Sequence, residues 1–345
     1  MCSSDLHDER GALSGIVVGL SDCQAEVVVR RALRTLSAAN AILVRAETEH
    51  ELLHDMCEAA VTDGGYLFAW YGRRDHDAGQ SIIRVANSEQ HAGYLDGLPI
   101  SWGDNALGQG PSGTALRLEQ TQIVHDFRAD RSFRPWAERA ETRGFRSSIC
   151  VPVTVAGVLD GALSVYAGEA HAFDTDAVQL MDELAQQMGL GLAKLRTTQQ
   201  LTRALAEHSL LMTAIDQAAD SIIVTDMTPS IIYANPAARD STGYELAEMI
   251  GQNPRMFKSG LHEPAYYEAM WQRLAGGQSF HGVMVNRRKS GEIYEEDATI
   301  TPVHDADGSL VAFVGVKHDL TRERQIEQAI SSEHGDRDVA LAVMR

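Results

Sequence analysis

Residues 231–238 read Ile-Ile-Tyr-Ala-Asn-Pro-Ala-Ala, followed by Thr-Gly-Tyr-Glu-Leu (242–246) and Ile-Gly-Gln-Asn-Pro-Arg-Met-Phe-Lys-Ser-Gly (250–260). Further on stand Asn-Arg-Arg-Lys-Ser-Gly (286–291), Ala-Thr-Ile-Thr-Pro-Val (298–303) and Val-Lys-His-Asp-Leu-Thr (316–321). Between the third and fourth of these groups, Pro264–Leu274 carries Tyr267, Met270, Trp271 and Leu274 at helical spacing, and Gly276-Gly277 ends that helix. Phe280, Met284 and Asn286 alternate in phase along the strand that follows, so the Asn286 amide is expected to face inward and to need partners there. A last strand at Leu310–Lys317 runs into Asp319-Leu320-Thr321, ahead of a helical stretch that begins with Arg322 and Arg324.

That ordered set closely resembles a PAS sensory domain over about a third of the chain. The resemblance implies a small sheet around a pocket that reports through a helix and performs no chemistry. Pocket residues expected on this basis are Asn286, Phe280, Met284, Trp271 and Tyr267. Asp319 and Thr321, with Arg322 and Arg324, resemble the Asp-x-Thr junction that couples a PAS sheet to its output helix. A cysteine–flavin adduct is excluded, because Pro254 follows Asn253 where light-sensing relatives carry the thiol. Haem would need an axial ligand such as His262, whose place beside a helix start also suits a surface loop. A non-covalent flavin stays open, and the stimulus or ligand is unknown from sequence.

Upstream, Leu33, Leu36, Ile42 and Leu43 recur at helical spacing, and Leu52, Leu53, Met56, Cys57, Ala60 and Val61 line one face of a second helix. Strand patterns follow at Tyr66–Trp70, Ser81–Ala86, Gln122–His125, Ser147–Thr154 and Gly157–Tyr166, and a long helix starts near Asp174. The span 30–196 resembles a GAF domain. The residues that carry this are Leu107–Ala115, His125-Asp126-Phe127, Phe133–Trp136, Gly144–Val153, Gly161–Tyr166 and Ala172-Phe173-Asp174. The likeness implies a sensory and dimerising module; Trp102, His125 and Trp136 are its candidate cavity residues and would serve equally well as core. The bilin-binding Cys-His pair is absent, since Val151 follows Cys150.

The fold class expected is therefore α+β: two domains, each a central antiparallel sheet flanked by helices, joined by a long helix. The boundaries read as 1–29 without order, 30–196 GAF, 197–212 helical linker, 213–322 PAS and 323–345 the start of an output helix. Leu201, Leu205, His208, Met212 and Ile215 form a seam at intervals of four and three, which reads as the two-helix coiled coil of a homodimer or as one amphipathic helix packed on its own domain.

Three motifs look chemical and are not. His50-Glu51-Leu52-Leu53-His54 fits a zinc-protease pattern, but both histidines fall on the wet face of their helix and no third ligand follows. Gly108-x-Gly110-x-x-Gly113 lacks the strand that a dinucleotide fold needs before it. Gly276–Phe280 lacks the acidic pair of a cyclase loop. No catalytic or metal-binding residue is expected in this chain.

The net charge of −18, with 48 acidic against 30 basic residues, argues against nucleic-acid binding and an anionic membrane surface. No apolar run approaches the roughly 20 residues that span a bilayer. Four scattered cysteines suit a reducing cytosol. Met1–Leu6 resembles a translated adaptor, and Ala342–Arg345 falls inside a helical pattern. The expectation is a fragment of a bacterial gene whose histidine kinase or cyclic-dinucleotide enzyme lies beyond Arg345.

Overall fold

The computed structural model describes residues 3–7, 13–18, 21–321 and 323–326, with side chains from Arg30 onward. The chain divides into two compact units, Met1–Thr202 and Arg203–Arg345. No helix among the described residues is long and apolar enough to cross a membrane.

In the first unit, strands β1 (Ser3–His7) and β2 (Leu13–Val18) pair antiparallel, and α1 (Ser21–Arg45) follows. The first 29 residues were expected to lack order. The apolar run through Ile16, Val17 and Val18 is what the expectation passed over. After α2 (Glu49–Thr62) come β3 (Phe68–Arg74), β4 (Ile82–Asn87), α3 (Pro111–Leu118) and β5 (Gln122–Val124). The unit closes with α4 (Ala137–Glu141), β6 (Ser147–Val155), β7 (Val158–Ala167) and the 42-residue α5 (Thr175–Asp216).

The five strands pair in the order β4-β3-β7-β6-β5, every neighbouring pair antiparallel. Side chains alternate across this sheet. Ala69, Tyr71, Leu163 and Val165 face the cluster made with α1, α2 and α5, while Phe68, Trp70 and Tyr166 face an aromatic cluster on the other side. Both faces being covered, the strands read as near-continuous apolar runs. The β6–β7 hairpin closes on Ala156 and Gly157, both at positive φ, as a two-residue turn of matching twist requires.

The glycines of the 108–113 motif serve packing. A Cβ on Gly110 would stand 2.4 Å from the Trp136 ring, and one on Gly113 would stand 2.3 Å from the Ser101 carbonyl. Arg117 fills the loop's polar demand by donating to the carbonyls of Trp102, Gly103 and Gly108.

The second unit contains β8 (Ser221–Thr225), β9 (Ile231–Ala234), α6 (Pro236–Thr242), α7 (Leu246–Met249), α8 (Pro264–Ala275), β10 (Phe280–Arg287), β11 (Ile293–His304) and β12 (Leu310–Asp319). Its sheet runs β10-β11-β12-β8-β9, again antiparallel throughout. Asn235 caps α6 from a fully buried position. Its carbonyl oxygen accepts from the N–H groups of Ala238 and Ile222 at 3.0 and 2.8 Å. Its amide donates to the carbonyls of Ile215 and Asp220 at 3.1 and 2.9 Å, fastening the end of α5 to this sheet.

α5 is continuous across the stretch where a single connector was expected. Its buried positions end at Leu192, and every residue from 197 to 211 is exposed, Leu201, Leu205, Leu210 and Leu211 included.

Candidate functional site

In the second unit, α8 and the loop around Asn253–Lys258 stand over the sheet and leave a cavity of about 990 Å³. That lies at the upper end of volumes typical of small-molecule sites. The apolar wall includes Ile223, Met270, Trp271, Leu274, Met284, Ile300 and Phe313. Trp271 meets Phe313 edge-on, with ring centroids 5.7 Å apart. Tyr267 also lines it. Its buried hydroxyl has no hydrogen-bond partner in the described protein, and burial pushes its pKa up.

The floor is polar. Asn286 Nδ2 donates to Glu296 Oε1 at 2.7 Å, and Lys317 Nζ donates to the same oxygen at 2.5 Å. All three residues are buried, Glu296 most deeply at 1% exposure. Asn286 and Lys317 line the cavity, and Glu296 lies behind them. β11 and β12 create this arrangement by register. Ala298 pairs with Lys317 and Glu296 with Asp319, so Glu296 and Lys317 are diagonal neighbours on one face.

Of the expected pocket residues, Asn286, Met284, Trp271 and Tyr267 converge on this cavity. Phe280 does not. It is buried at the start of β10 against Tyr266, with ring centroids 5.7 Å apart, in the core beside the cavity. His262 is likewise no ligand to the cavity: its Nε2 accepts from the Val285 N–H at 2.8 Å, and its ring stacks on Tyr266. The cavity lining holds neither His nor Cys.

Glu296, Lys317, Arg255 and Lys258 were missed in the sequence. The available signal was a charge on the buried phase of two neighbouring strands: Tyr294, Glu296 and Ala298 on β11, and Phe313, Gly315 and Lys317 on β12.

The first unit was also expected to be hollow around three residues, and there its aromatic side is close-packed; a polar space of about 560 Å³ lies elsewhere on that side, lined by Phe127, Arg131, Arg134, Phe145 and Arg146. Trp102, His125 and Trp136 do not meet in one cavity. Trp102 donates Nε1 to the Asp75 carbonyl at 2.7 Å, His125 is exposed and stacks on His171, and Trp136 donates to the Pro99 carbonyl at 3.2 Å. The space beside Trp136, walled by Tyr94, Phe133 and Tyr166, measures about 10 Å³, which holds a single water at most. The physical reason is aromatic bulk: Phe68, Trp70, Tyr94, Phe133, Phe145 and Tyr166 pack ring on ring into that volume.

At the end of β12 the coupling residues assemble around one side chain the sequence did not single out. Arg288 donates to Asp319 Oδ2 at 2.7 Å and to Thr321 Oγ1 at 3.2 Å, and its guanidinium lies 4.2 Å from the Tyr294 ring centroid. It also donates to the Ser241 carbonyl and pairs with Glu292 at 3.2 Å. Asp319 Oδ1 accepts from the Thr321 N–H at 2.9 Å. Burial alone would raise the Asp319 carboxyl, but the hydrogen bonds from Thr321 and Arg288 outweigh it and hold the group below its ordinary value.

Of the two arginines placed at this junction from the sequence, neither is seen to bind Asp319 among the described residues. Arg322 lies outside the described residues, and Arg324 pairs instead with Glu295 at 3.2 Å. His318 adds a second tie, 2.7 Å from Asp220 and 3.4 Å from Glu323. The hydrogen bond to Asp220, then that to Glu323, raises its pKa.

Comparison with known families agrees with this geometry. A GAF domain model matches residues 46–193 and a PAS domain model matches residues 219–322. The chain is 37% identical over 121 residues to a nitrogen fixation regulatory protein of Klebsiella oxytoca, a stretch covering 35% of this chain and 24% of that one. It is 37% identical over 93 residues to a blue-light-activated histidine kinase of Brucella canis, covering 27% and 19%. The chain thus spans about a quarter or less of the length of these curated relatives. Among solved structures, a PAS domain from Colwellia psychrerythraea shares 24% identity, with 33% of this chain and 97% of that chain covered and a TM-score of 0.30.

Proposed function

Given that the chain carries a GAF domain followed by a PAS domain and is a sensory signalling region, we propose that its PAS cavity takes a small ligand and reports occupancy to the helix after β12. The observation that carries this reading is a spacing. Lys317, in the cavity floor, and Asp319, in the clamp at the end of the strand, lie two residues apart on one face of β12. Their Cα atoms are about 7 Å apart at the usual strand rise. Glu296 holds Lys317 from β11 directly beside Asp319, and Arg288 joins Asp319 to Thr321. A ligand that draws on Lys317 therefore pulls on the strand that positions the output turn.

A flavin is one candidate occupant on size, with the Asn286 amide and the Tyr267 hydroxyl as partners, and it would supply redox or light chemistry when bound. An absorbance spectrum of the purified protein reads that directly. The GAF half, whose aromatic cluster around Trp136 is close-packed, is given a mechanical and dimerising role in this reading. In this proposal the chain works in the cytosol as a homodimer and catalyses nothing itself. A longer gene would place a histidine kinase or cyclic-dinucleotide enzyme under its control, a reading favoured by the kinase among its relatives.

The dimer rests on the bare stretch of α5, because a helix with no buried residue over 197–211 is marginal in water unless another helix covers it. Leu201→Asp with Leu205→Asp is expected to convert a dimer into a monomer in sedimentation equilibrium.

The signalling claim is tested by Asp319→Ala. Arg288 keeps Glu292 and the Ser241 carbonyl, so the PAS domain loses about 2 kcal/mol and stays folded. In the full-length gene product, ligand would still bind but no longer change output. A mutant that responds normally contradicts the assignment.

A further inference from the structure

We propose that Lys317 sets the specificity of the PAS cavity, and that the cavity selects a ligand carrying an anionic group on an aromatic body. This rests on the reading that the cavity is the ligand site. Its lining includes Arg255, Lys258 and Lys317 and not one Asp or Glu. In a chain with 48 acidic and 30 basic residues, composition would favour the opposite balance. A concave wall of one sign focuses its field on whatever enters.

The three cations are not equivalent. Arg255 and Lys258 are exposed at the mouth, where Lys258 Nζ rests 3.5 Å from the Tyr267 ring centroid. Lys317 is buried in the floor, with its ammonium 5.6 Å from the Phe257 ring centroid. It shares Glu296 Oε1 with Asn286, so one carboxylate behind the wall answers both groups. An ammonium has three donors, and this one makes a single hydrogen bond among the described residues.

A neutral aromatic ligand would strip water from the remaining donors and return nothing, whereas an anion would pair with them. The thioethers of Met270 and Met284, with the rings of Trp271 and Phe313, form the apolar wall for the body of such a ligand.

The full chain can be titrated with two probes that share one ring skeleton: 8-anilinonaphthalene-1-sulfonate, an anion, and the neutral N-phenyl-1-naphthylamine. Quenching of Trp271 is the readout, and Trp271→Phe removes it if the probe sits in the cavity. The anion is expected to bind at least tenfold more tightly than the neutral probe. Lys317→Met should level the two, and Lys317→Arg should keep the preference. If Lys317→Met fails to fold because Glu296 is left buried alone, Lys317→Met with Glu296→Gln removes the pair together. Equal binding of both probes to the wild type, or an anion preference that survives in the double variant, overturns the specificity role while leaving the cavity as a ligand site. Absence of any Trp271 response to either probe overturns the cavity reading, and the specificity role falls with it.

Discussion

Replacing Asp160 by alanine is expected to cost the GAF domain about 3 kcal/mol, one of the two largest effects that single substitutions should have in this chain. Asp160 accepts from the Tyr71 hydroxyl at 2.6 Å and from Arg73 Nε at 2.8 Å, and it pairs with Arg196 Nη2 at 2.6 Å. Glu49, at the start of α2, binds the same two guanidinium groups at 2.7 Å each. Arg196 is where α5 leaves the domain, so the network joins a helix start, two strands and the connector at one point.

Removing Asp160 leaves a buried tyrosine hydroxyl without an acceptor and two cations sharing one carboxylate. The loss sits at the low end for a broken buried pair because the Arg73 and Arg196 side chains keep 27% and 34% of their exposure. Chemical denaturation measures the loss, and Asp160→Asn, which keeps an acceptor for Tyr71, should lose about half as much. pH supplies a second check. Burial raises the Asp160 carboxyl, but hydrogen bonds from Tyr71, Arg196 and Arg73 together hold it below its ordinary value. Its contribution is thus complete above about pH 4 and disappears as pH falls through the lower, folded value. Wild type and Asp160→Asn should therefore converge in acid. A difference that does not shrink at all as the pH falls below about 4 would show the network is not ionic.

Asn235→Ala is expected to destabilise the PAS domain by about 3 kcal/mol or more. The side chain is fully buried and makes four hydrogen bonds, to two N–H groups and two carbonyls, in three separate segments. Alanine strips the side-chain partner from all four: the Ala238 N–H keeps the Asn235 backbone carbonyl and the Ile215 carbonyl keeps the Ala218 N–H, but the Ile222 N–H and the Asp220 carbonyl lose the bond that Asn235 gave them. Asn235→Asp keeps the acceptor for Ile222 and Ala238 but turns a carboxylate oxygen toward the carbonyls of Ile215 and Asp220, so it should rescue little. Because Ile215 belongs to the last turn of α5, hydrogen exchange should show that turn opening in Asn235→Ala before the sheet does. Uniform loosening of the whole domain would mean that Asn235 is a core residue with no particular hold on the helix.

These two networks illustrate what the chain discloses when read in order. Strands and helices were legible because alternation and helical spacing are local. Expected and observed limits of β6, β7, β12 and α8 differ by one or two residues. The inward phase of Met284 and Asn286 followed from period two, and the cavity keeps both. The ion network was not legible, since its members lie 24 to 147 residues apart and only folding brings them together. Arg288 was hidden for the same reason, being 31 residues from the Asp319 it holds.

Trp102, His125 and Trp136 stood open between cavity and core in the sequence. Aromatic residues fill a core as readily as they line a pocket, and nothing local revealed that each indole N–H already had a backbone carbonyl to bind. Glu296 and Lys317 could have been found, because an Asp, Glu or Lys on the buried phase of a strand requires a partner.

The most direct measurement is hydrogen–deuterium exchange on the full chain with the PAS cavity empty and then filled by the anionic naphthalene probe. Occupancy is expected to slow exchange along β12 and onward through Leu320 and Thr321, and Asp319→Ala should confine the change to the strand. Protection that stops at the cavity wall in the wild type, leaving residues past Asp319 untouched, would contradict the proposal that this pocket speaks to the helix.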